Sequence, residues 1–265
     1  MRLYWPDHGG TMGVILQGLI RAALGAWVLV CCMGPATAAP LILDDAEPVH
    51  DAWPHVRVLS DPARRIDVAA AQQRLAEFAP PASPHAGMGF RNDAVWFHIP
   101  VTVPGASDGR WVLEIDYALL NRIDVYLVRE GRAAKLATMG SLQPFRDRPL
   151  GSRTPAVMLD LPPGQAVDVL FHIDTRSSVI VPVKFLKPAA FHARANREFL
   201  LQGILIAIGL CLLAFSVQQW VSLRDTVYAK YAAVIVSHLL FSAHLFGLGA
   251  MFLWTDRPWI EVHMA

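Results

Sequence analysis

Two stretches of the sequence, Phe199–Val221 and Tyr231–Trp254, carry no formally charged residue. A bilayer's hydrocarbon core is ~30 Å thick and takes roughly 20 apolar residues of helix to cross, so each stretch is long enough to span it. The first is interrupted only by Gln202, Ser216, Gln218 and Gln219, and the second by Ser237, His238, Ser242 and His244. A core helix of a soluble domain normally keeps one polar face, and neither stretch does. The expectation is a transmembrane helix over 199–221, a short loop over 222–230, a second transmembrane helix over 231–254 and an outer segment over 255–265.

The rest of the 265-residue chain is of another kind. Overall, 54% of the residues are hydrophobic, but the excess lies in residues 12–34 and 199–254, and residues 40–190 read as a globular domain large enough to bury a core. Net charge is +1 with no like-charge run longer than two, so no nucleic-acid partner is implied. Cys31, Cys32 and Cys211 are the three cysteines. None falls in the globular part, which therefore has neither a disulfide nor a thiolate metal site. Arg21, the apolar run Ala22–Met33 and the small residues Ala36-Thr37-Ala38 follow the order of a secretory signal. Residues 1–38 are expected to be a signal peptide cut after Ala38, with Met12 as an alternative start. Residues 39–190 would then be periplasmic, the membrane would be the bacterial inner membrane, and 222–230 would be cytoplasmic. Lys184, Lys187, Arg194 and Arg197 on the outer side run against the positive-inside rule, but the signal acts first.

Within 39–190 the pattern is strand after strand. Val56–Leu59 reads as a short strand. Asp67 reads as the N-cap of a helix reaching Phe78, whose face is Val68, Ala71, Leu75 and Phe78. After Gly87 the period is two. Val95, Phe97, Ile99, Val101 and Val103 point one way, and Trp96, His98 and Thr102 the other. Trp111, Leu113 and Ile115 alternate with Val112, Glu114 and Asp116. Ile123, Val125 and Leu127, then Val157, Leu159 and Leu161, then Val167, Val169, Phe171 and Ile173, and finally Val179, Val181, Val183 and Phe185 continue the series. Such alternation marks antiparallel sheets with one buried face. The fold class is mainly β, a jelly-roll-like β-sandwich followed by two transmembrane α-helices.

Several segments together resemble one bacterial receptor family. They are Gly89–Val101 (GFRNDAVWFHIPV), Trp111–Asp116, Ile123–Tyr126 (IDVY), Gly140–Arg148 (GSLQPFRDR), Gln202-Gly203, Ser222–Asp225 with Tyr228 and Tyr231, Phe246–Gly249 and Leu253–Trp259. They resemble the seven-transmembrane receptors with diverse intracellular signalling modules, in the version with the type-2 extracellular sensor. The resemblance covers residues ~45–265. It implies an exported sandwich that binds a small ligand and is coupled to membrane helices. The chain is expected to be the start of a truncated seven-helix bundle, either a fragment or a receptor remnant, so no catalytic output is carried over. The alternative is a membrane-tethered periplasmic binding or scaffold module without output.

Glu114 and Asp116 share a strand face and could serve as a glycosidase pair, although a surface polar face is the simpler reading. His98 and His172 fall short of a metal site, and His238 and His244 read as neutral residues bonding a neighbouring helix. Arg91, Trp96, Tyr126, Phe145, Arg146 and Arg148 are the ligand-binding candidates, because aromatic faces stack on sugar rings and arginine forks grip carboxylates and hydroxyls. The sensor's likeness to carbohydrate-binding sandwiches makes a carbohydrate the leading small-molecule partner. The other expected partners are the lipid bilayer and a second copy in a homodimer, although Gly203, Gly209 and Ser216 form no G-x-x-x-G face. No nucleotide loop, nucleophile elbow or H-E-x-x-H motif occurs, and no cofactor, metal or enzymatic activity is expected.

Overall fold

The computed structural model describes residues 39–264; the expected signal peptide, 1–38, lies outside the described residues. The strands are β1 (Leu41–Ile42), β2 (Val49–Asp51), β3 (Arg57–Asp61), β4 (Gly87–Gly89), β5 (Ala94–Thr102), β6 (Arg110–Ile115), β7 (Arg122–Arg129), β8 (Arg132–Met139), β9 (Ala156–Asp160), β10 (Ala166–Asp174), β11 (Val179–Ile180) and β12 (Val183–Leu186). A six-stranded sheet has the order β1-β5-β10-β7-β8, with β3 also on β5. A four-stranded sheet has the order β2-β12-β6-β9, and β4 pairs with β11. Successive strands cross from sheet to sheet: β5 lies in the larger, β6 in the smaller, β7 and β8 in the larger, β9 in the smaller, β10 in the larger and β12 in the smaller. The result is a jelly-roll-like sandwich.

The alternation seen in the sequence sets which face each strand buries. The odd-numbered residues of β5, β6, β9, β10 and β12 meet Ile123, Val125 and Leu127 of β7 between the sheets in one core. At its centre the Phe97 and Phe171 rings stack with centroids 4.8 Å apart. The outer face of the larger sheet is also covered. Helix α1 (Val68–Gln73) and the turn after it lay Ala71 and Phe78 over Trp96, Val128 and Leu170.

Asp67 caps α1 as expected, accepting a hydrogen bond from the Ala70 N–H at 2.8 Å. The helix stops at Gln73, short of the expected Phe78. Beyond it Ala79 exchanges both backbone hydrogen bonds with Val58, and this pulls the chain into line with β3. Strand β8 has no alternating pattern in the sequence. The hairpin turn builds it: Glu130 and Gly131 both have positive φ (48° and 75°), the conformation that a two-residue hairpin loop needs.

Helix α2 (Pro188–Leu223) is continuous for 36 residues. Pro188 opens it, where a missing N–H costs nothing, and Arg224 closes it in the left-handed region at φ 56°. Asp225 then caps α3 (Thr226–Leu245) by accepting from the Val227 N–H at 2.9 Å. The connection expected over 222–230 is thus only Arg224-Asp225, because the Asp225 cap starts the second helix early. The second helix ends at Leu245, not Trp254. Gly247 (φ 71°) turns the chain, a π-helical turn covers Gly249–Leu253, and the short α4 (Pro258–Met264) follows. Both α2 and α3 are long and apolar enough to cross a membrane.

Replacing Phe97 by Ala should remove the central stacked pair at a cost of about 3–5 kcal/mol. The thermal midpoint of the detergent-solubilised chain should fall by at least about 6 °C. A fall no larger than that of an exposed-site variant such as Leu136→Ala would contradict this core.

Candidate functional site

The first turns of α2 lie flat on the outer face of the four-stranded sheet. Phe191 is buried there against Val112, Ala156 and Leu186, with Leu150 and Met158 around it. Just before the helix, Lys187 Nζ lies 2.6 Å from both Asp45 and Asp108 and 4.4 Å from the Trp111 ring centre. These contacts hold Asp45 and Asp108 below the usual carboxylate range.

One turn further on, Arg194 reaches over the end of β6. Its guanidinium pairs with Asp116, donates to Glu198 Oε1 at 2.9 Å and lies 3.5 Å from Glu114 Oε2. Arg153, on the loop before β9, pairs with Glu198 and lies 3.7 Å from Asp116. Lys184 lies 3.5 Å from Asp116, and the Thr154 hydroxyl donates to Glu114 Oε1 at 2.8 Å. Three carboxylates and three cations thus form one network between sandwich and helix. Glu114 is 3% exposed. Burial raises its pKa, against the pull of Thr154 and Arg194. Burial also acts upward on Glu198, but the hydrogen bonds from Arg153 and Arg194 outweigh it and hold this carboxyl below its usual range. Arg194 stays charged because the carboxylates overcome its own desolvation. Glu114 is the weakly held member, since Asp116 and Glu198 compete for the same guanidinium.

A cleft of ≈390 Å³ opens beside this network, lined by Asp116, Tyr117, Arg153, Glu198, Gln202 and Phe246 among others. The Gln202 Oε1 atom is buried without a hydrogen-bond partner. Gly247 closes the far side of the junction. A Cβ there would stand 2.6 Å from the Arg153 carbonyl oxygen and 2.9 Å from Ala118 Cβ, so only glycine permits this approach.

The structure does not bring the six ligand candidates into one place. Trp96 is 2% exposed. It lies beneath the α1 segment, donates Nε1–H to the Ile66 carbonyl at 3.1 Å and packs against His172 and Tyr126, so it has no face free for a sugar. Tyr126 keeps a partly open edge in the same layer. Arg91 is fixed by Asp93 and Ser60, both at 2.6 Å. Phe145, Arg146 and Arg148 lie on the loop that meets the membrane segment, where the Phe145 N–H donates to the Thr255 carbonyl. Arg148 is buried and donates to the Ser152 and Arg153 carbonyls. Arg146 is exposed and lies 3.4 Å from Asp256.

Glu114 and Asp116 do share a face, as the period predicts. That face is neither an open surface nor a catalytic gap, because α2 covers it. His98 pairs with Asp168 at 2.7 Å. His172, whose pKa burial lowers, stacks on Trp96, and no metal-binding cluster occurs among the described residues. His244 Nδ1 lies 2.8 Å from Glu261 of α4. Sequence reasoning missed Arg153, Arg194 and Glu198. The available signal was the i, i+4 pair Arg194–Glu198 immediately before an uncharged span.

Residues 53–187 match the family model described as 7TMR-DISM extracellular 2. The chain belongs to that family. Residues 198–265 match a second model, 7TM diverse intracellular signalling, so the 7TMR-DISM chain joins a receptor's extracellular domain to membrane helices. A comparison with curated proteins returns no match. Among solved structures the sandwich is similar to part of a Ruminococcus gnavus beta-glucuronidase, with 11% identity over 56% of this chain and 30% of that one, at a TM-score of 0.35. It is also similar to part of a Parabacteroides merdae beta-glucuronidase, with 13% identity over 53% and 21% of the two chains, at a TM-score of 0.34. The 7TMR-DISM chain thus spans less than a third of these enzymes, and likenesses this faint carry no argument about activity.

The carboxylates should give stability two opposed pH responses. The raised Glu114 opposes folding when ionised, so stability should rise as pH falls from neutral through its folded pKa. The lowered Glu198 works the other way, so stability should be lost as pH falls below about 4.5, its ordinary value. Glu114→Gln should abolish the rise and keep the acid loss, as read by thermal melts between pH 8 and about 3. An unchanged rise in the variant would contradict this assignment.

Proposed function

We propose that this chain senses a small polar ligand at the junction between sandwich and membrane helices and transmits its binding through α2. The observation that carries the reading is the network in which Glu114, Asp116 and Arg153 of the sandwich grip Arg194 and Glu198 of a helix that continues unbroken into the apolar span. A ligand that rearranges the network must change how α2 is held, and allosteric coupling requires such a difference between two states. The cleft has the chemistry for a hydroxylated ligand: the Tyr117 ring, with carboxylates, an arginine and the Gln202 side chain on its wall as hydrogen-bonding groups. A carbohydrate is the first class to test. Arg146 and Phe145, on the neighbouring loop, are the members of the original candidate set that would extend such a site.

The same reading has the sandwich in the periplasm of a bacterium, moored in the inner membrane after removal of residues 1–38. Three of the four basic residues that run against this orientation weigh less once their partners are counted, and Arg197 alone stays exposed. Lys184, Lys187 and Arg194 are each neutralised by sandwich carboxylates, so they do not act as free positive charge beside the span.

The chain in phospholipid nanodiscs, screened by thermal shift against mono- and oligosaccharides and other small metabolites, should yield a compound that raises the midpoint by about 5 °C at a hundredfold excess over its Kd. Gln202→Leu, which takes the amide off the cleft wall, should abolish that shift. If no compound acts, the sensing reading fails. A shift that survives in Gln202→Leu places the ligand outside this cleft.

A further inference from the structure

At one end of the sandwich, a plate of interlocked loops faces the membrane segment. Gly209 of α2 packs toward Leu239 of α3. About 12 Å of helix separates Leu239 from Gly247, so Gly247 stands level with about residue 201 of α2, inside the uncharged span. The sandwich touches the helices at this height, where Gly247 meets Ala118 and the Arg153 carbonyl. From Ala118 the plate runs on through hydrogen bonds. The Ser177 hydroxyl donates to the Leu119 carbonyl, the Arg176 N–H donates to Asn121 Oδ1 at 2.7 Å, and the Asn121 Nδ2–H donates to the Ser141 hydroxyl. Val179 then pairs with Gly89, and the next residue is Phe90.

Phe90 is 84% exposed, the most exposed large apolar side chain of the sandwich. Leu142, whose N–H donates to the Asn121 carbonyl, is 45% exposed on the same plate. Arg176 is exposed between them in the chain of contacts. Where the plate continues into the helices, the Phe145 N–H meets the Thr255 carbonyl between Trp254 and Trp259, and Trp259 is 59% exposed. Tryptophan at the end of an apolar span is typical of the membrane–water interface.

We propose that Phe90 and Leu142 insert into the headgroup layer of the bilayer that α2 crosses, giving the sandwich a second mooring apart from its covalent one. The continuity of the plate with the sandwich–helix contact puts both side chains at interfacial height. There a phenyl ring loses its unfavourable exposure to water, and Arg176 can meet lipid phosphates. The mooring would fix the tilt of the sandwich on the membrane, and it stands whether or not the cleft binds a sugar.

The test uses the full chain with Cys31, Cys32 and Cys211 replaced by Ser, and single cysteines introduced by Phe90→Cys, Leu142→Cys or Ile42→Cys. Ile42, in β1 at the opposite end of the sandwich, is 60% exposed and serves as the water-facing control. Each is labelled with the environment-sensitive fluorophore NBD in vesicles of phosphatidylethanolamine and phosphatidylglycerol. Labels at 90 and 142 should emit at shorter wavelength than the label at 42. They should also be quenched at least about twofold more by nitroxide at headgroup depth than by nitroxide at the bilayer centre, matching a depth of roughly 5–10 Å. A label at 90 that behaves like the one at 42 overturns the proposal. So does one that is blue-shifted but unquenched by lipid nitroxides, which would show that protein covers it.

Discussion

The polar joint between sandwich and membrane helix centres on one guanidinium, that of Arg194. The outer face of β6 carries Glu114, and α2 covers it, taking the carboxylate out of water. Desolvating a charge costs several kcal/mol unless it is paired and hydrogen-bonded. Arg194 makes the docking tolerable, because it meets Glu114, Asp116 and Glu198 from one position on the helix. Arg153 and Lys184 balance the remaining charge. Such a network is a weak source of net stability. Its strength is geometric, since a planar fork meeting several carboxylates tolerates few arrangements, and this suits a joint whose register must be defined.

The continuity of α2 gives that joint mechanical meaning. Thirty-six residues of helix run to about 54 Å, more than the ~30 Å hydrocarbon core requires. The surplus, Pro188–Glu198, lies on the sandwich and is held by Lys187, Phe191 and Arg194. No flexible segment intervenes between the fastened part and the apolar part, so a change in docking has nowhere to dissipate before the membrane. The crevices of ≈610 and ≈670 Å³ along α2 and α3 differ in character: apart from Gln202 in both and His238 and Ser242 in the first, their lining is apolar and suits lipid or further helix.

Much of this was legible in the sequence. The period-two runs gave the core residues of six strands correctly because each strand has one dry face and chemistry follows the pleat. The uncharged spans located both long helices. Less of the site could be read. Trp96 alternates with core residues and so looked available, but α1 and Phe78 cover the outer face of its sheet, which a strand pattern cannot show. Glu114 was read as a surface carboxylate for the same reason, since the covering element, α2, lies far along the chain. Strand β8 escaped because its alanines and lysine carry no alternation and its hairpin turn alone sets it. The polar joint could be read only as an i, i+4 pair before a membrane span, since its other members come from three separate loops and strands.

The most direct test of the central claim is hydrogen exchange along α2 in nanodiscs, comparing the wild type with Arg194→Ala. Removing the guanidinium leaves Glu114 buried and unpaired, at a cost of about 3 kcal/mol. Amides in residues 191–198 should therefore exchange roughly 100-fold faster, while those of β5 and β10 hold their protection. Unchanged exchange in residues 191–198 would mean that the helix is not fastened through Arg194, and the account of a rigid joint would be wrong.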